Sequence, residues 1–529
     1  MHAEPSEAWN NPLWRRRAVL AALGGVAGVT LAGCGGGGGS SSASPSPSPA
    51  PGSGGTPSSD FHTGADISLL SWMETHGQVY RAGGQPEDLL ATFSNHGCTL
   101  MRLRLWVNPN GSDIFVNDLA YTVALAQRIQ AAGFAWLLDI HYSDTWADPG
   151  AQAIPAAWAG LSLSALAAQV RAYTAQVIAT LRDAGAMPAI VQIGNETIDG
   201  MLWPTGQISK TGWGPYATLV KAGIAGVVDG VGMATAPKIM LHIDRGGDWA
   251  ATQWFFDNVA AQGIDYDLIG LSFYPRYHGA LSGAKTVLTN TATRYDKGVM
   301  VVETGYPFEG SWSGPWVTYP VTPAGQRQFL IDLVAHVRTL PNGRGRGVMF
   351  WAPEWLPIAG QGSNWGEKTL YADNGAVLPG LAALGGLLDP ALSYRIVNRA
   401  SGMALDVQAA SATAGAQVVQ TAIGSAASQR WAVTGNSAGF FSLTARHSGL
   451  LLDSSAGGEG AALMQANGSG SAAQQWDVVD AGVGCFRIVQ RASGLVLDTD
   501  ASVADGALVR LRAAVDALPQ QQWSLVAVN

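Results

Sequence analysis

The segment AIVQIGNE, residues 189–196, is a short apolar run that ends in an amide and a carboxylate, Asn195 and Glu196. Amphipathic helical patterns, such as residues 118–133 and 164–185, separate it from similar runs. Strands that alternate with helices pair in parallel through right-handed crossovers. Eight such runs lie within residues 60–388, and they start at His62, Met101, Trp136, Ala189, Lys238, Leu268, Val299 and Gly347. This alternation predicts an α/β fold, a (β/α)8 TIM barrel.

Polar residues cluster at the carboxyl ends of the predicted strands. In a (β/α)8 barrel these ends meet at one face, which carries the active site. Polar caps for the loops would not explain why carboxylates, histidines and arginines converge on one ring. The residues concerned are Asp66, Arg102, Arg104, Asp139, His141, Asn195, Glu196, His242, Asp244, Tyr274, Glu303 and Trp351. The pattern therefore predicts an active site at that face.

Glu196 and Glu303 end the fourth and seventh predicted strands. Two carboxyl groups that face each other across a barrel mouth are standard for glycoside hydrolysis. One must carry a proton for the leaving oxygen, while the other must be ionised to attack the anomeric carbon. Their surroundings must therefore separate their pKa values. The alternative is a pair of structural carboxylates in a barrel that only binds sugar.

Four neighbouring residues fit this chemistry. Arg102 and Arg104 are two apart in the second strand and share a face, so we expect both to keep Glu303 ionised. We expect the Tyr274 hydroxyl to donate a hydrogen bond to the same carboxylate. Asn195 is placed to hold a sugar hydroxyl, the 2-hydroxyl, whose hydrogen bond strengthens in the transition state.

Longer runs along the same segment carry a family resemblance. They include GADISLLSWMETHG at 64–77, HYSDTWADP at 141–149, VQIGNETIDGMLWPTG at 191–206 and VVETGYPF at 301–308. Together they resemble the family-53 glycoside hydrolases, the endo-β-1,4-galactanases, over about residues 61–385. The resemblance implies retaining endo-hydrolysis of β-1,4-galactan, the side chains of type I arabinogalactan in plant pectin.

The resemblance also implies residue roles, with Glu196 as the acid/base and Glu303 as the nucleophile. Together with the strand-end pattern, it predicts that the substrate contacts Asn195, Arg102, Arg104, Asp139, His141, Trp146, Asp148, His242, Asp244, Tyr274 and Trp351. One departure follows the eighth strand, where the family usually reads Trp-Glu-Pro-Ala-Trp and this chain reads WAPEW at 351–355. No run of oxygen ligands has the spacing of a dedicated calcium site, so we predict no metal and no cofactor.

Residues 393–529 repeat three times. A Leu-Asp pair ends in Asp406, Asp453 and Asp498, and a Gln-x-Trp motif ends in Trp431, Trp476 and Trp523. Copies of about 45 residues are each too small to bury a core, so they should close into one threefold body. The repeats resemble the ricin-type β-trefoil lectin domain, an all-β fold.

That resemblance implies carbohydrate-binding sites at Asp406, Asp453 and Asp498, with the three motif tryptophans in the core. Each site also uses an aromatic platform, but Thr421, Ala466 and Ala513 lie near where it should be. The alternative is therefore a trefoil that serves only as a structural module.

The N-terminus reads as an export signal. Three arginines at 15–17 precede an apolar stretch at 18–32, which leads into LAGC at 31–34. The start resembles a twin-arginine signal and the end a bacterial lipobox, so residues 1–34 are predicted to be a lipoprotein-type signal peptide with Cys34 lipidated. Simple secretion or a retained transmembrane span are the alternatives. Residues 35–59, rich in Gly, Ser and Pro, are predicted to be a tether.

The composition of the 529-residue chain bounds its partners. Charged residues make up 13% and the net charge is −8, so nothing favours nucleic acid or an anionic membrane surface. Nineteen tryptophans suit packing against sugar rings. We predict a monomeric, exported protein, either a cell-surface or periplasmic lipoprotein or a secreted one, whose partner is galactan. Another retaining β-glycanase acting on mannan or xylan, or a non-catalytic cell-surface sugar-binding protein, are the alternatives.

Overall fold

The structure is a computed structural model that describes residues 60–358, 365–388, 390, 392–436, 440–454, 457–482 and 484–528. The predicted signal peptide, Cys34 and the predicted tether lie outside the described residues. Among the described helices, none has the length and apolar character that a bilayer crossing requires. Cys98 and Cys485 are both free and buried.

Eight parallel strands form a closed barrel, which confirms the predicted architecture. They are β1 (His62–Asp66), β2 (Leu100–Leu105), β3 (Ala135–Ile140), β4 (Ile190–Ile193), β5 (Lys238–Ile243), β6 (Leu268–Phe273), β7 (Gly298–Thr304) and β8 (Gly345–Trp351). Each strand pairs with its neighbours in sequence, and β8 pairs with β1 to close the ring. Two-residue strands also form small hairpins, Arg81–Ala82 with Gln85–Pro86 and Gly200–Met201 with Gly206–Gln207.

Helices surround the barrel. The α-helices of the described residues are Leu70–Thr75, Leu89–Asn95, Leu119–Ala131, Leu163–Asp183, Ile208–Thr211, Trp213–Val231, Trp249–Ala261, Pro275–His278, Leu281–Arg294, Pro323–Arg338 and Gly380–Leu384. Several begin at a side chain that accepts a hydrogen bond from the backbone N–H three residues later, which satisfies one of the free donors of the first turn. These capping residues are Asp88, Asp118, Ser162, Asp248 and Thr322.

The inside of the barrel is layered, and this layering positions the polar site. Apolar side chains from the barrel strands form a closed cluster of their own: Leu100, Leu137, Ile190, Met240, Leu268, Met300, Val302 and Met349. Successive side chains of a strand alternate between its faces, so residues two positions apart share a face. Two positions beyond four of these apolar residues the chain places Arg102, Asp139, Gln192 and His242. A dry layer therefore closes the barrel beneath a polar one.

The C-terminal segment contains four main strands in each of three repeats. They are Ser393–Asn398, Ala404–Val407, Val418–Thr421 and Trp431–Gly435, then Phe441–Ala445, Leu451–Ser454, Leu463–Ala466 and Trp476–Asp480, then Phe486–Gln490, Val496–Asp498, Arg510–Arg512 and Trp523–Val528, with Ala507–Leu508 as an additional short strand. Trp431, Trp476 and Trp523 are fully buried, as predicted. Each indole N–H donates to the carbonyl of the leucine that precedes the repeat's aspartate.

The barrel and the trefoil make direct side-chain contacts. The buried guanidinium of Arg327, on helix Pro323–Arg338, lies 2.9 Å from an oxygen of Asp477 and 4.5 Å from the ring centroid of Phe441. Asp480 accepts a hydrogen bond from the backbone N–H of Gly83 at 2.8 Å, and its other oxygen lies 3.3 Å from a ring nitrogen of His96. Both carboxylates belong to the strand of the second repeat that ends in Asp480.

We predict that the Arg327→Ala variant lowers the free energy of unfolding of the full chain by about 1–2 kcal/mol, because it removes an ion pair and a cation–π contact at a buried position. Urea unfolding followed by tryptophan fluorescence measures this. The matched control is Arg294→Ala, which removes an exposed ion pair with Asp257 and should cost less than about 1 kcal/mol. Equal losses in the two variants would contradict a stabilising role for the contact between the domains.

Candidate active site

Glu303 and Arg102 form the centre of the polar layer. Glu303, in β7, is 6% exposed, and one of its oxygens lies 2.9 Å from Nη2 of Arg102. Its other oxygen accepts a hydrogen bond of 2.9 Å from the Tyr274 hydroxyl. Burial raises the pKa of Glu303, while Arg102 and Tyr274 oppose that rise because both stabilise the charged form. The expected contacts of Arg102 and Tyr274 with Glu303 are therefore present.

The guanidinium of Arg102 is itself buried and is shared among several acceptors. It lies 2.8 Å from an oxygen of Asp66 and 2.8 Å from one of Asp139, and it donates to Oδ1 of Asn195 at 3.0 Å. Burial works against ionisation of Asp139, but Arg102 and His141 outweigh it and lower the pKa of that carboxyl. Asp139 is fully buried beneath the site and orients Arg102, so we interpret it as a supporting residue.

Glu196 has different surroundings. It follows β4 with φ of +47°, in the left-handed region, and it is 6% exposed. Among the described residues, no cation lies within ion-pair distance of its carboxyl group. Ser272, in β6, donates a hydrogen bond of 2.6 Å to its Oε1. Burial, followed by the charge of Glu303, raises the pKa of Glu196 well above its ordinary value.

The two carboxyl groups are therefore electrostatically unequal. Both are buried, but the Arg102 guanidinium lies beside Glu303, whereas in the part of the chain that the structure describes no guanidinium pairs with Glu196. A single proton shared between them is held by Glu196, because ionising Glu303 costs less next to Arg102. This is the separation of pKa values that acid/base and nucleophilic roles require.

His141 is held in one tautomer. Its Nδ1 faces two N–H donors, the indole of Trp106 at 3.3 Å and the backbone of Ala147 at 3.2 Å. Its hydrogen must then lie on Nε2, which is 2.9 Å from an oxygen of Asp139. The ring links the floor of the site to the loop after β3.

Gln192, Asn195 and His242 form a network under Glu196. Gln192 donates to Oδ1 of Asp139 at 2.5 Å and lies 3.1 Å from Nδ1 of His242. Asn195 donates to the carbonyl of Ala147 at 2.8 Å, which fixes its amide. Burial, and then Arg102, lower the pKa of His242 well below its ordinary value, so its ring is neutral. Gln192 did not stand out in the sequence because it lies inside an apolar run.

Arg104 does not contact Glu303, so the expectation that both arginines keep it ionised is wrong for Arg104. Its Nε donates to Asn117 at 3.1 Å, and its guanidinium lies 4.5 Å from the ring centroid of Trp146 and 5.0 Å from that of Trp106. Arg104 is one layer higher than Arg102 in the barrel. At that height the two indoles and Asn117 direct it away from β7.

Asp148 and Asp244 are the remaining carboxylates near Glu196. Asp148 accepts backbone hydrogen bonds from Gly150 and Ala151 at 2.7 and 2.9 Å, and burial raises its pKa. Asp244 pairs with Arg245, and burial raises its pKa to about 6. The charges of both raise the pKa of Glu196 further.

Aromatic side chains form one wall of the site. Trp351 lies edge-on to Trp365 at 4.6 Å and 6.1 Å from Trp146, and Trp365 lies 5.9 Å from Tyr274. A groove begins at Tyr274. It is lined by Tyr274, Arg276, Tyr277, Gly305, Pro307, Trp312, Trp316, Trp365 and Lys368. Of these, Tyr274 stood out in the sequence because it ends a predicted strand, whereas the others lie beyond the strand ends.

Glu354, in the unusual WAPEW stretch, has a structural position. It is fully buried, and its Oε1 accepts a hydrogen bond of 3.0 Å from the backbone N–H of Leu69. Its carbonyl accepts one from the Tyr80 hydroxyl at 2.9 Å. Burial raises the pKa of its carboxyl to about 8. The departure from the family pattern thus ties the loop after β8 to the loop after β1.

The three aspartates of the trefoil are held alike. Each accepts a hydrogen bond from the side-chain amide of its repeat's Gln-x-Trp glutamine, Gln429, Gln474 or Gln521, at 3.2, 2.9 and 2.8 Å. In the first repeat Thr421 also donates to Asp406 at 2.7 Å.

Within the described residues there is no cluster of three or more His, Cys, Asp or Glu residues suited to a metal ion.

Two family models match the chain. The model of glycosyl hydrolase family 53 matches residues 62–384, and that of the ricin-type beta-trefoil lectin domain-like family matches residues 388–465 and 454–512.

Named relatives match the barrel. A probable arabinogalactan endo-beta-1,4-galactanase A from Aspergillus terreus is 39% identical over 340 residues, which are 62% of this chain and 95% of that protein. An arabinogalactan endo-beta-1,4-galactanase A from Emericella nidulans is 39% identical over 324 residues, which are 59% of this chain and 90% of that protein. The similarity therefore spans nearly the whole of each relative.

Solved structures agree. The GH53 catalytic domain of Ignisphaera aggregans aligns with a TM-score of 0.58 and 31% identity, covering 61% of this chain and 95% of that one. A structure from work on two fungal beta-1,4-galactanases aligns with a TM-score of 0.56 and 35% identity, covering 61% and 98%.

Proposed function

This chain belongs to glycosyl hydrolase family 53, and we propose that it is a retaining endo-β-1,4-galactanase that cleaves the galactan of type I arabinogalactan. The observation that carries the proposal is the unequal pair of buried carboxyl groups: Arg102 lies beside Glu303, while no cation of the described residues lies beside Glu196. The activity printed in the names of the relatives supports galactan as the substrate. The aromatic wall and groove support binding of a neutral sugar chain.

In the first step an oxygen of Glu303 attacks the anomeric carbon of a galactosyl unit. The bond from that carbon to the glycosidic oxygen breaks, and Glu196 gives its proton to the departing oxygen. The products are a galactosyl ester on Glu303 and a shortened chain with a free hydroxyl. Arg102 and Tyr274 keep Glu303 ionised and aimed until the attack.

In the second step the ionised Glu196 takes a proton from a water molecule. The water oxygen attacks the same carbon, the ester bond breaks, and Glu303 leaves as a carboxylate. Two inversions at one carbon retain its configuration, and this mechanism requires the carboxyl groups to lie about 5–5.5 Å apart.

The Glu303→Gln variant should lose hydrolysis of unbranched β-1,4-galactan by a factor on the order of 10⁴ or more, because an amide cannot form the glycosyl ester. Reducing-end release measures the rate.

Glu196→Ala should keep slow cleavage of aryl galactosides with good leaving groups and form β-galactosyl azide when azide is added. The matched control, Glu74→Gln, changes a carboxylate that pairs with Arg128 outside the barrel and should act like the wild type.

Unchanged products from Glu303→Gln would rule out the nucleophile. Faster release from mannan or xylan than from galactan would replace the substrate while leaving the mechanism intact.

We also propose that the trefoil binds sugar through Asp406, Asp453 and Asp498. The family match supports this proposal. So do the hydrogen bonds that the three glutamines donate to these aspartates, which hold the three carboxylates in the same way. A sugar hydroxyl is a natural donor to such a carboxylate. The chain would then hold polysaccharide with one domain while it cleaves with the other.

Changing all three aspartates to alanine in the full-length Glu303→Gln protein should weaken retention on insoluble galactan by about tenfold or more. Sedimentation with the polymer measures the bound fraction. Asp500→Ala, which removes a carboxylate paired with Arg512 on the trefoil surface, is the matched control. Unchanged retention in the triple variant would leave the trefoil as a structural module.

For localisation, we propose export and lipidation at Cys34, after the LAGC stretch at 31–34. The basic start, the apolar stretch and the small residues before the cysteine support this. A domain held clear of a membrane by residues 35–59 would meet a bulky extracellular polymer.

Labelled palmitate should be incorporated into the wild-type protein in a bacterial host, and Cys34→Ala should abolish this incorporation. Cys98→Ala, which removes a buried thiol, should retain it. Labelling that persists in Cys34→Ala would contradict the anchor.

A further inference from the structure

We propose that Ser272 is a positioning residue for Glu196, whose hydroxyl directs the proton of that carboxyl group to the oxygen facing the substrate. The proposal rests on the acid/base role of Glu196 proposed above. Ser272 follows the apolar part of β6 and did not stand out in the sequence, because serine at a strand end is common.

Ser272 lies beside Glu196, on the strand next to the one that carries Glu303. The pairing of β6 with β7 shifts register between Leu271 and Ser272, and after the shift Ser272 lies opposite Glu303. The side chain is fully buried. Its Oγ lies 2.6 Å from Oε1 of Glu196 and 2.8 Å from Nε2 of His242. The hydroxyl of Ser272 thus lies between the Glu196 carboxyl group and the His242 ring.

Donation by Ser272 to Oε1 leaves Oε2 as the oxygen that carries the exchangeable proton. Oε2 has no hydrogen-bond partner among the described residues and is not enclosed. A proton on Oε1 would point toward Ser272 and away from the glycosidic oxygen. The hydroxyl therefore selects the productive form of the acid.

His242 lets the contact persist when Glu196 changes charge. Its ring is neutral, so one nitrogen carries hydrogen and the other does not. Nδ1 lies 2.9 Å from the acceptor Oδ1 of Asn195 and 3.1 Å from the donor Nε2 of Gln192, so either tautomer has a partner there. With hydrogen on Nε2, His242 donates to Ser272 while Ser272 donates to ionised Glu196.

The charged groups around Glu196 disfavour its ionised form, so a hydrogen-bond donor to that form matters here. Glu303, Asp244 and Asp148 all raise the pKa of Glu196, and Arg102 is engaged with Glu303 and His242 is neutral. The Ser272 hydroxyl lowers that pKa, because it stabilises the ionised form. That ionised form is the base of the second step.

In the Ser272→Ala variant the basic limb of the kcat/KM profile on galactan should move to higher pH by about one unit, because the ionised form loses a donor. Ser272→Thr keeps a hydroxyl and should restore the wild-type limb. Thr291→Val removes a buried hydroxyl on an outer helix, which contacts the Val287 carbonyl, and should leave the limb unchanged.

A second readout does not depend on the substrate. In protein with ¹³C-labelled glutamate carboxyls, the resonance lost in Glu196→Gln identifies Glu196, and its titration midpoint should rise in Ser272→Ala. A risen midpoint in a protein that does not cleave galactan would uphold the contact and refute the proposed function. Cleavage by Ser272→Ala that is slower at every pH, with limb and midpoint unmoved, would overturn the role of Ser272.

Discussion

The buried guanidinium of Arg102 is the constraint on which the site depends. Burying such a charge costs several kcal/mol unless acceptors surround it, and removing one partner of a buried pair typically costs about 3–5 kcal/mol. Arg102 contacts Asp66 of β1, Asp139 of β3 and Glu303 of β7, and it donates to Asn195 after β4. One side chain therefore fixes four strands at the height of the chemistry. The same charge makes Glu303 the carboxyl that stays ionised.

The layering of the barrel makes this arrangement possible. A closed apolar layer beneath the polar residues keeps water from approaching from below. In that low-dielectric setting electrostatic differences count for more than they would in water. Burial raises the pKa values of both carboxyl groups, and a single arginine on one side is enough to make them unequal.

The same hydrogen-bond arrangement occurs in each of the three repeats of the trefoil. In each copy a buried tryptophan donates from its indole N–H to the backbone beside the aspartate. The glutamine two residues before that tryptophan donates a hydrogen bond to the same aspartate. The contacts with the barrel break this symmetry, because they use Asp477 and Asp480 of the second repeat. Asp477 and Asp480 thus give the second repeat a role in the contact between the domains.

Much of this molecule follows from sequence alone. Alternating strand and helix patterns gave the barrel, polar strand ends gave Glu196 and Glu303, and the spacing of the Gln-x-Trp motifs gave the trefoil, since each is a local pattern repeated along the chain. The side chains that contact those residues did not follow from sequence patterns. Arg102 and Arg104 are equivalent by strand periodicity, but Trp146 and Asn117 hold only Arg104 away. Gln192 and Ser272 lie in apolar runs and belong to no motif that the sequence reveals.

Only the tertiary structure decided these points, because each depends on strands far apart in sequence meeting at a given height. The tilt and stagger of a closed barrel determine which side chains share a layer. No local pattern reveals that Ser272 of β6 donates to Glu196, or that Ser272 pairs with Glu303 across a register shift. The sequence thus determined which two carboxylates we propose for the chemistry, and the packing of the barrel decided which neighbours set their charge.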